Sequence, residues 1–364
     1  MVNKLVIENL KFRPVRTALS VIAIGLEVTM MLTIVGLSEG MLADSQQRAR
    51  GVGADIIIRP PGSSALSLSS APLPQKLVDW VEQQPHVSMA VGAITHPVSG
   101  LTLMTGIDLE RFTRMSGGFR YQAGNPPRQP NEILVDTYYA RQNKLRVGSI
   151  VNLWNRGWRV SGIIEQGKLA RLVMPLPVLQ DLSGNTGKIS QIFAKVDDPE
   201  NIEDVIADLK SKLVGYPIYS TEEFVSLFAV DKVPGLREFI VVIIGLSVAV
   251  GFLVVFLSMY TAVLERTREI GILKALGASP VFVLDILFRE TLVLAFFGSA
   301  LGIGFSYGTR WLIMTLVPAS LSQLIVPGWW PIAGAIALAG ALLGAAYPGW
   351  RAARQDPIEA LSYE

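Results

Sequence analysis

Four long apolar stretches dominate this chain and set the terms for any fold it can adopt. A helix crossing the hydrocarbon core of a bilayer needs about 20 consecutive, mostly apolar residues. Segments 17–41, 238–264, 281–317 and 331–350 each reach that length or come close to it. The second is an almost unbroken run of Val, Ile, Leu and Phe, and the fourth is bracketed by Trp329, Trp330 and Trp350, where an aromatic belt is expected. The third is longer than one crossing requires, so Asp285, Arg289 and Glu290 near its start read as an interfacial lead-in. Composition agrees: half of the 364 residues are hydrophobic, 17% are charged and the mean hydropathy is +0.42, too apolar for an ordinary soluble domain. The first stretch follows Lys4, Lys11, Arg13 and Arg16 in the manner of a secretory signal. It is too long for a signal and continues through Ser38, Glu39 and Gly40 into Met41 and Leu42, so it reads as an uncleaved anchor.

Basic residues beside the spans predict the sidedness. The N-terminal segment 1–16, the loop 265–280 with Arg266, Arg268 and Lys274, and the tail 351–364 with Arg351 and Arg354 share one side, the cytoplasm. The insert 42–237 and the short loop 318–330 then lie outside. The expected fold class is an α-helical membrane protein: four transmembrane helices with a large α+β extracytoplasmic domain between the first two. Its expected place is the cell inner (plasma) membrane, multi-pass, with both termini cytoplasmic.

After a Pro- and Ser-rich stretch at 60–74, Leu73, Leu77, Val78 and Val81 have the spacing of one helix face. Residues 132–135, 149–153 and 159–164 are Val- and Ile-rich and bounded by Gly or Asn, which suits strands in a small sheet or barrel. A βαβ-like unit follows: strand 192–196, a cap at Asp198-Pro199, a helix through Ile202, Val205, Ile206 and Leu209, and strand 216–219. Segments 39–50 and 221–237 have helical character and predict stalk helices at each end of the insert, with flexible linkers as the alternative.

Much chemistry is excluded. A net charge of +2 without a massed basic segment argues against nucleic acid as a partner. The absence of cysteine removes disulfides and thiolate sites. His86 and His96 read as solvated surface residues. No acid/base pair or nucleophile constellation stands out in the insert. No Gly-x-x-x-x-Gly-Lys-Ser/Thr loop occurs; the nearest approach is Gly187-Lys188-Ile189.

Loop 265–280 is compact and amphipathic. Ile270, Leu273 and Leu276 are expected on a face toward the membrane, with Arg266, Glu269 and Lys274 elsewhere, and Gly277 and Pro280 end the helix. Pattern alone allows a plug for a groove on a soluble partner or an interfacial helix on acidic lipid. The run Glu265-Arg266-Thr267-Arg268-Glu269-Ile270-Gly271, continuing through Lys274, Ala275, Gly277 and Ala278, resembles the signature of the FtsX/MacB-like ABC permease family. The tail from Pro348-Gly349-Trp350-Arg351 through Arg354, Asp356 and Pro357 is similar to that family's closing motif, and the likeness extends over essentially the whole chain.

The resemblance implies a permease subunit of an ABC transporter, not itself an enzyme. Glu265, Arg266, Arg268, Glu269, Ile270, Gly271, Lys274, Ala275, Gly277 and Ala278 would couple to an ATPase on a separate polypeptide, with Arg351, Arg354, Asp356 and Pro357 beside them. It implies two ATPase copies that bind ATP and Mg, a second permease copy or related permease, and a periplasmic adaptor as a further partner; this chain holds no cofactor or metal. Export or extraction of a lipophilic or peptide cargo by mechanotransmission is the expected function. An FtsX-like regulator of a cell-wall hydrolase is the alternative within the family, and a membrane-anchored sensor is the one outside it. Membrane lipid is a partner in any case. Glu27, in the middle of the first span, is an intramembrane carboxylate, as is Glu290. Glu27 is read either as a coupling or substrate group or as an acid held in a helix interface or facing a wet cleft. Gly298-x-x-x-Gly302 and Gly340-x-x-x-Gly344 permit close helix approach.

Overall fold

The computed structural model describes residues 2–63, 73–99, 102–316 and 321–354. Most of the Pro- and Ser-rich stretch lies outside these residues, as do the tail positions Asp356 and Pro357. The chain opens with helix α1 (Val2–Phe12) and the 37-residue α2 (Pro14–Arg50). They part at Arg13, because a proline disfavours helical backbone in the residue before it.

There follow β1 (Ile56–Ile58), β2 (Leu73–Pro74), α3 (Leu77–Glu82), β3 (Val87–Ser99), β4 (Thr102–Ile107), α4 (Leu109–Ser116), β5 (Tyr121–Gly124) and β6 (Glu132–Asp136). Then come α5 (Thr137–Gln142), β7 (Ile150–Leu153), β8 (Arg156–Ile164), β9 (Leu172–Pro175), α6 (Leu176–Leu182), β10 (Lys188–Ile189) and β11 (Gln191–Val196). A 3-10 turn capped by Asp198 leads into α7 (Ile202–Lys212), β12 (Ile218–Ser220) and α8 (Thr221–Ser226). The chain then returns to long helices: α9 (Leu236–Glu265), α10 (Thr267–Ala275), α11 (Pro280–Leu316) and α12 (Trp329–Arg354).

Among the described residues two compact units result, one of residues 2–38, 235–313 and 323–354, the other of the described residues between 39 and 234 with 314–316 and 321–322. The second is built on one ten-stranded mixed sheet in the order β12-β1-β11-β3-β4-β9-β6-β8-β5, with β7 on β8. It is therefore neither a small sheet nor a barrel. Side chains that alternate along a strand enter different cores. Ile56, Ile58, Ile133 and Val135 join α3, α5, α6 and α7 on one face, while Ile57 and Leu134 join Phe112 of α4 and Phe224 of α8 on the other. Burial on both faces is why β1 and β6 read as continuous apolar runs. β11 and β12 flank β1, each antiparallel to it, with α7 between them in sequence, a split form of the expected βαβ unit. The expected outgoing stalk helix over 221–237 is interrupted. α8 ends at Ser226, turns follow, and Gly235 takes φ +76° immediately before α9, a backbone state that suits glycine.

In the first unit Ile24, Val28 and Met31 of α2 pack with Val255 and Met259 of α9, Leu294 and Ala295 of α11, and Ala333, Ala337, Ala341 and Ala345 of α12. Small residues let these backbones approach. A Cβ on Gly302 would stand 2.6 Å from the Gly25 carbonyl oxygen, and one on Gly344 2.8 Å from that of Phe252. Gly302→Ala is therefore expected to lower stability by about 1–3 kcal/mol. Gly304→Ala, where a Cβ meets open space, should be silent in the same detergent thermal melt. Apolar side chains also face outward, among them Leu246, Val250, Leu253 and Leu257 of α9 and Phe296 and Phe297 of α11. That arrangement is unlike a soluble surface and suits lipid.

Three helices, α2, α9 and α12, are long and apolar enough to cross a membrane by length and composition. The third stretch of the sequence reading forms one continuous helix, α11, but is not among those three. It is punctuated by Asp285, Arg289, Glu290 and Arg310.

Candidate functional site

Helix α10 and its surroundings gather most of the residues singled out in the sequence. Arg266, between α9 and α10, is buried, and its Nη1 donates to Glu290 Oε1 of α11 at 3.0 Å. Asn9 Nδ2 of α1 donates to the same oxygen at 2.6 Å. Arg13 pairs with Glu265, and Arg16 lies 3.7 Å from it. On the other side Lys274 Nζ donates to the Ala353 carbonyl at 2.9 Å, and Arg351 Nη1 donates to Tyr260 Oη at 2.8 Å. Arg354 stacks over Trp350 at 4.6 Å. Ile270 packs in a small core with Val263, Val283, Leu287 and Ala352. Gly277 closes α10 at φ +93°, its N–H donating to the Lys274 carbonyl while the Ala278 N–H donates to that of Leu273.

This geometry divides the expected coupling residues. Arg266, Ile270 and Gly271 are buried and hold α10 in place, and Lys274 is engaged within the chain. Arg268, Glu269, Ala275 and Gly277 are exposed, and Ala278 is half-buried. Arg266 points into the unit, whereas Leu276 is 81% exposed and Ile272 45%. The reason is that a charge inside a buried pair is stable where an unpaired one is not, and Glu290 supplies the pair. Nothing in the local sequence points to Glu290 as the partner of Arg266, or to Asn9 as the second donor to Glu290.

Glu27 is buried among the helices of the same unit. Its carboxylate occupies the place that a Cβ on Gly251 of α9 would need, and its Oε1 has no hydrogen-bond partner and lies 3.8 Å from a Cβ built on Gly340 of α12. The interface reading therefore describes its packing, without the hydrogen bond for that oxygen. In the sheet unit, His86 is exposed and bonded to Asp197 and Asn201, and His96 stands edge-on to Trp154. Among the described residues no group of three or more His, Asp or Glu is placed to hold a metal ion.

A second charged constellation escaped the sequence reading altogether. Arg171, buried at the start of β9, donates to Asp44 of α2 at 2.6 Å, lies 4.0 Å from Asp136 and stacks on the Tyr138 ring at 4.2 Å. Arg48 also pairs with Asp44, at 2.9 Å. Burial pushes the Asp136 carboxyl up to about 6, against the pull of the Tyr139 N–H and of Arg171.

The model of a MacB-like periplasmic core domain matches residues 17–212, more than half of the chain, and that of an FtsX-like permease C-terminal region matches 241–357. The chain belongs to the FtsX/MacB-like family of ABC transporter permeases. An uncharacterized ABC transporter permease, MJ1507, of Methanocaldococcus jannaschii is 29% identical over 61% of this chain and 59% of its own length. The macrolide export ATP-binding/permease protein MacB of Photorhabdus laumondii is 26% identical over 96% of this chain and 58% of its own length. The chain thus spans under two thirds of the length of these relatives. The periplasmic region of MacB from Actinobacillus actinomycetemcomitans superposes with a TM-score of 0.37 at 16% identity, over 48% of this chain and 92% of that one.

Proposed function

We propose that this permease crosses the inner membrane four times with both termini in the cytoplasm and seats α10 on its ATPase. It transmits ATP-driven closure of two ATPase copies, which hold the ATP and Mg, to the external sheet unit. The stroke is a movement of that unit by a pair of permeases, assisted by a periplasmic adaptor, and it serves export or extraction of a lipophilic or peptide cargo. The placement of α10 carries this reading. A short helix fixed from behind by Arg266, Ile270 and Lys274 turns Ile272, Leu276, Arg268 and Glu269 outward, an exposed apolar and charged face on which Glu269 also lies 3.8 Å from Arg266. Such a face suits a groove on a soluble protein. The name of the MacB relative, which joins ATP binding and macrolide export, supports the direction of transport.

Co-purification with an ABC ATPase co-expressed in the same cells tests it. Ile272→Asp/Leu276→Asp is expected to lose the ATPase while the permease still elutes as a folded species. Full retention of the ATPase by that variant overturns the docking assignment.

A further inference from the structure

Within the helical unit, Gly344 of α12 stands against the backbone of α9: a Cβ on it would lie 2.8 Å from the Phe252 carbonyl oxygen and 3.2 Å from the Phe256 nitrogen. That close approach brings the rings of the two helices into one array. On α9, Phe252, Phe256 and Tyr260 follow one another at every fourth residue, with ring centroids 6.1 and 6.0 Å apart. On α12, Tyr347 lies 6.1 Å from Phe256 and 6.4 Å from Trp350. Leu343, four residues before Tyr347 and so on the same helix face, prolongs the α12 edge of the array. Leu343, Tyr347 and Trp350 are exposed, and the three rings of α9 are half-buried.

The array ends in two cations. Arg351 donates to Tyr260 Oη and lies 5.6 Å over its ring, and Arg354 stacks on Trp350. Both are exposed, and neither pairs with a carboxylate among the described residues. Helix α12 contains no acidic residue, and Glu265, at the end of α9, is taken up by Arg13 with Arg16 at 3.7 Å. An aromatic ring orients a guanidinium without neutralising it. Both charges are therefore held in place and left open to an anion. From Phe252 to Tyr260 the helix rises about 12 Å, most of the roughly 15 Å of hydrocarbon in one leaflet.

We propose that this strip binds one anionic phospholipid, with its phosphate on Arg351 and Arg354 and an acyl chain laid along Phe252, Phe256 and Leu343. Two cations at one end of an apolar track almost a leaflet deep match a molecule that is anionic at one end and apolar over the rest. A zwitterionic lipid offers the same chain without the net charge, so the arginine pair sets the preference between them. This is a role that the coupling reading does not give to Arg351 and Arg354. The inference rests on α9 crossing the membrane, which the experiment checks separately.

The chain has no cysteine, so a single fluorophore can be placed without background. The full chain carries it at Leu343→Cys or, as a reference, at Val250→Cys, an exposed position of α9 outside the array. In phosphatidylcholine vesicles, quenching by phosphatidylglycerol brominated in its acyl chains is compared with quenching by brominated phosphatidylcholine at the same mole fraction. The label at 250 is expected to respond equally to both; no quenching by either means that α9 is not a crossing, and the inference falls with that reading. The label at 343 should favour phosphatidylglycerol severalfold. Arg354→Gln should reduce the preference and Arg351→Gln/Arg354→Gln bring it to the level at 250. Arg351→Lys/Arg354→Lys, which keeps the charge, should retain most of it, as should the native chain in millimolar inorganic phosphate. A preference no larger at 343 than at 250, one that survives loss of both arginines, or one that free phosphate abolishes overturns the proposal.

Discussion

Glu290→Ala is expected to cost the helical unit about 3–5 kcal/mol, because it leaves the Arg266 guanidinium buried without its counter-charge. The Glu290 side chain is 1% exposed and receives hydrogen bonds from both Arg266 and Asn9, so one deletion releases α1 and the base of α10 together. Removing both charges is a different matter. Arg266→Met/Glu290→Met puts apolar groups of similar length in the same space, and the known behaviour of buried pairs predicts a midpoint close to the native one. Thermal melts in detergent micelles read this difference. Limited trypsin cleavage after the exposed Arg268 localises it, with fast cutting in the single variant and native-like protection in the double. A single variant that melts with the native protein would show that the pair does not hold α10 at all. A double variant that melts as low as the single would show that Asn9 or the shape of the site matters more than the charge.

What the sequence made legible follows from how far apart the interacting residues lie. The apolar stretches are local signals, and helices α2, α9, α11 and α12 cover all four. The end of α10 at Gly277 is local too. The burial of Arg266 is not a local signal, since its partner Glu290 lies on another helix and is shared with Asn9, from a segment that runs before the first apolar stretch. Strand β3, 13 residues long, passed unnoticed for another reason. Its middle, residues 90–94, is buried on both faces, Ala90 and Ile94 in one core and Val91 and Ala93 in the other, which removes the polar–apolar alternation there, and it carries Pro97 beside an irregularity in its pairing with β4. The cluster of Asp44, Arg171 and Asp136 is invisible for the same reason as Arg266 and Asn9, since 127 residues separate the shortest of its ion pairs.

That cluster yields a dependence on pH with a definite sign. Asp136 has an ordinary value of 3.8, which burial raises to about 6 in the fold, so the folded protein holds this proton more tightly than the unfolded chain does. The group therefore favours folding fully below about pH 4, and its contribution is lost as pH rises through about 6. The gap corresponds to on the order of 3 kcal/mol. Asp136→Asn removes the titration but keeps the helix cap, because asparagine can accept the Tyr139 N–H as the carboxylate does at 2.7 Å. The variant is expected to match the native protein near pH 4 and to exceed it at pH 7, with a flatter profile between. Arg171→Met should do the opposite. It strips the counter-charge from Asp136 and half of that from Asp44, which Arg48 still faces, so destabilisation is expected to grow as pH rises. Denaturant unfolding of the full chain in detergent, followed by the fluorescence of the buried Trp158, reads all three curves. Parallel native and Asp136→Asn profiles between pH 4 and 7 would mean that the carboxyl titrates at its ordinary value.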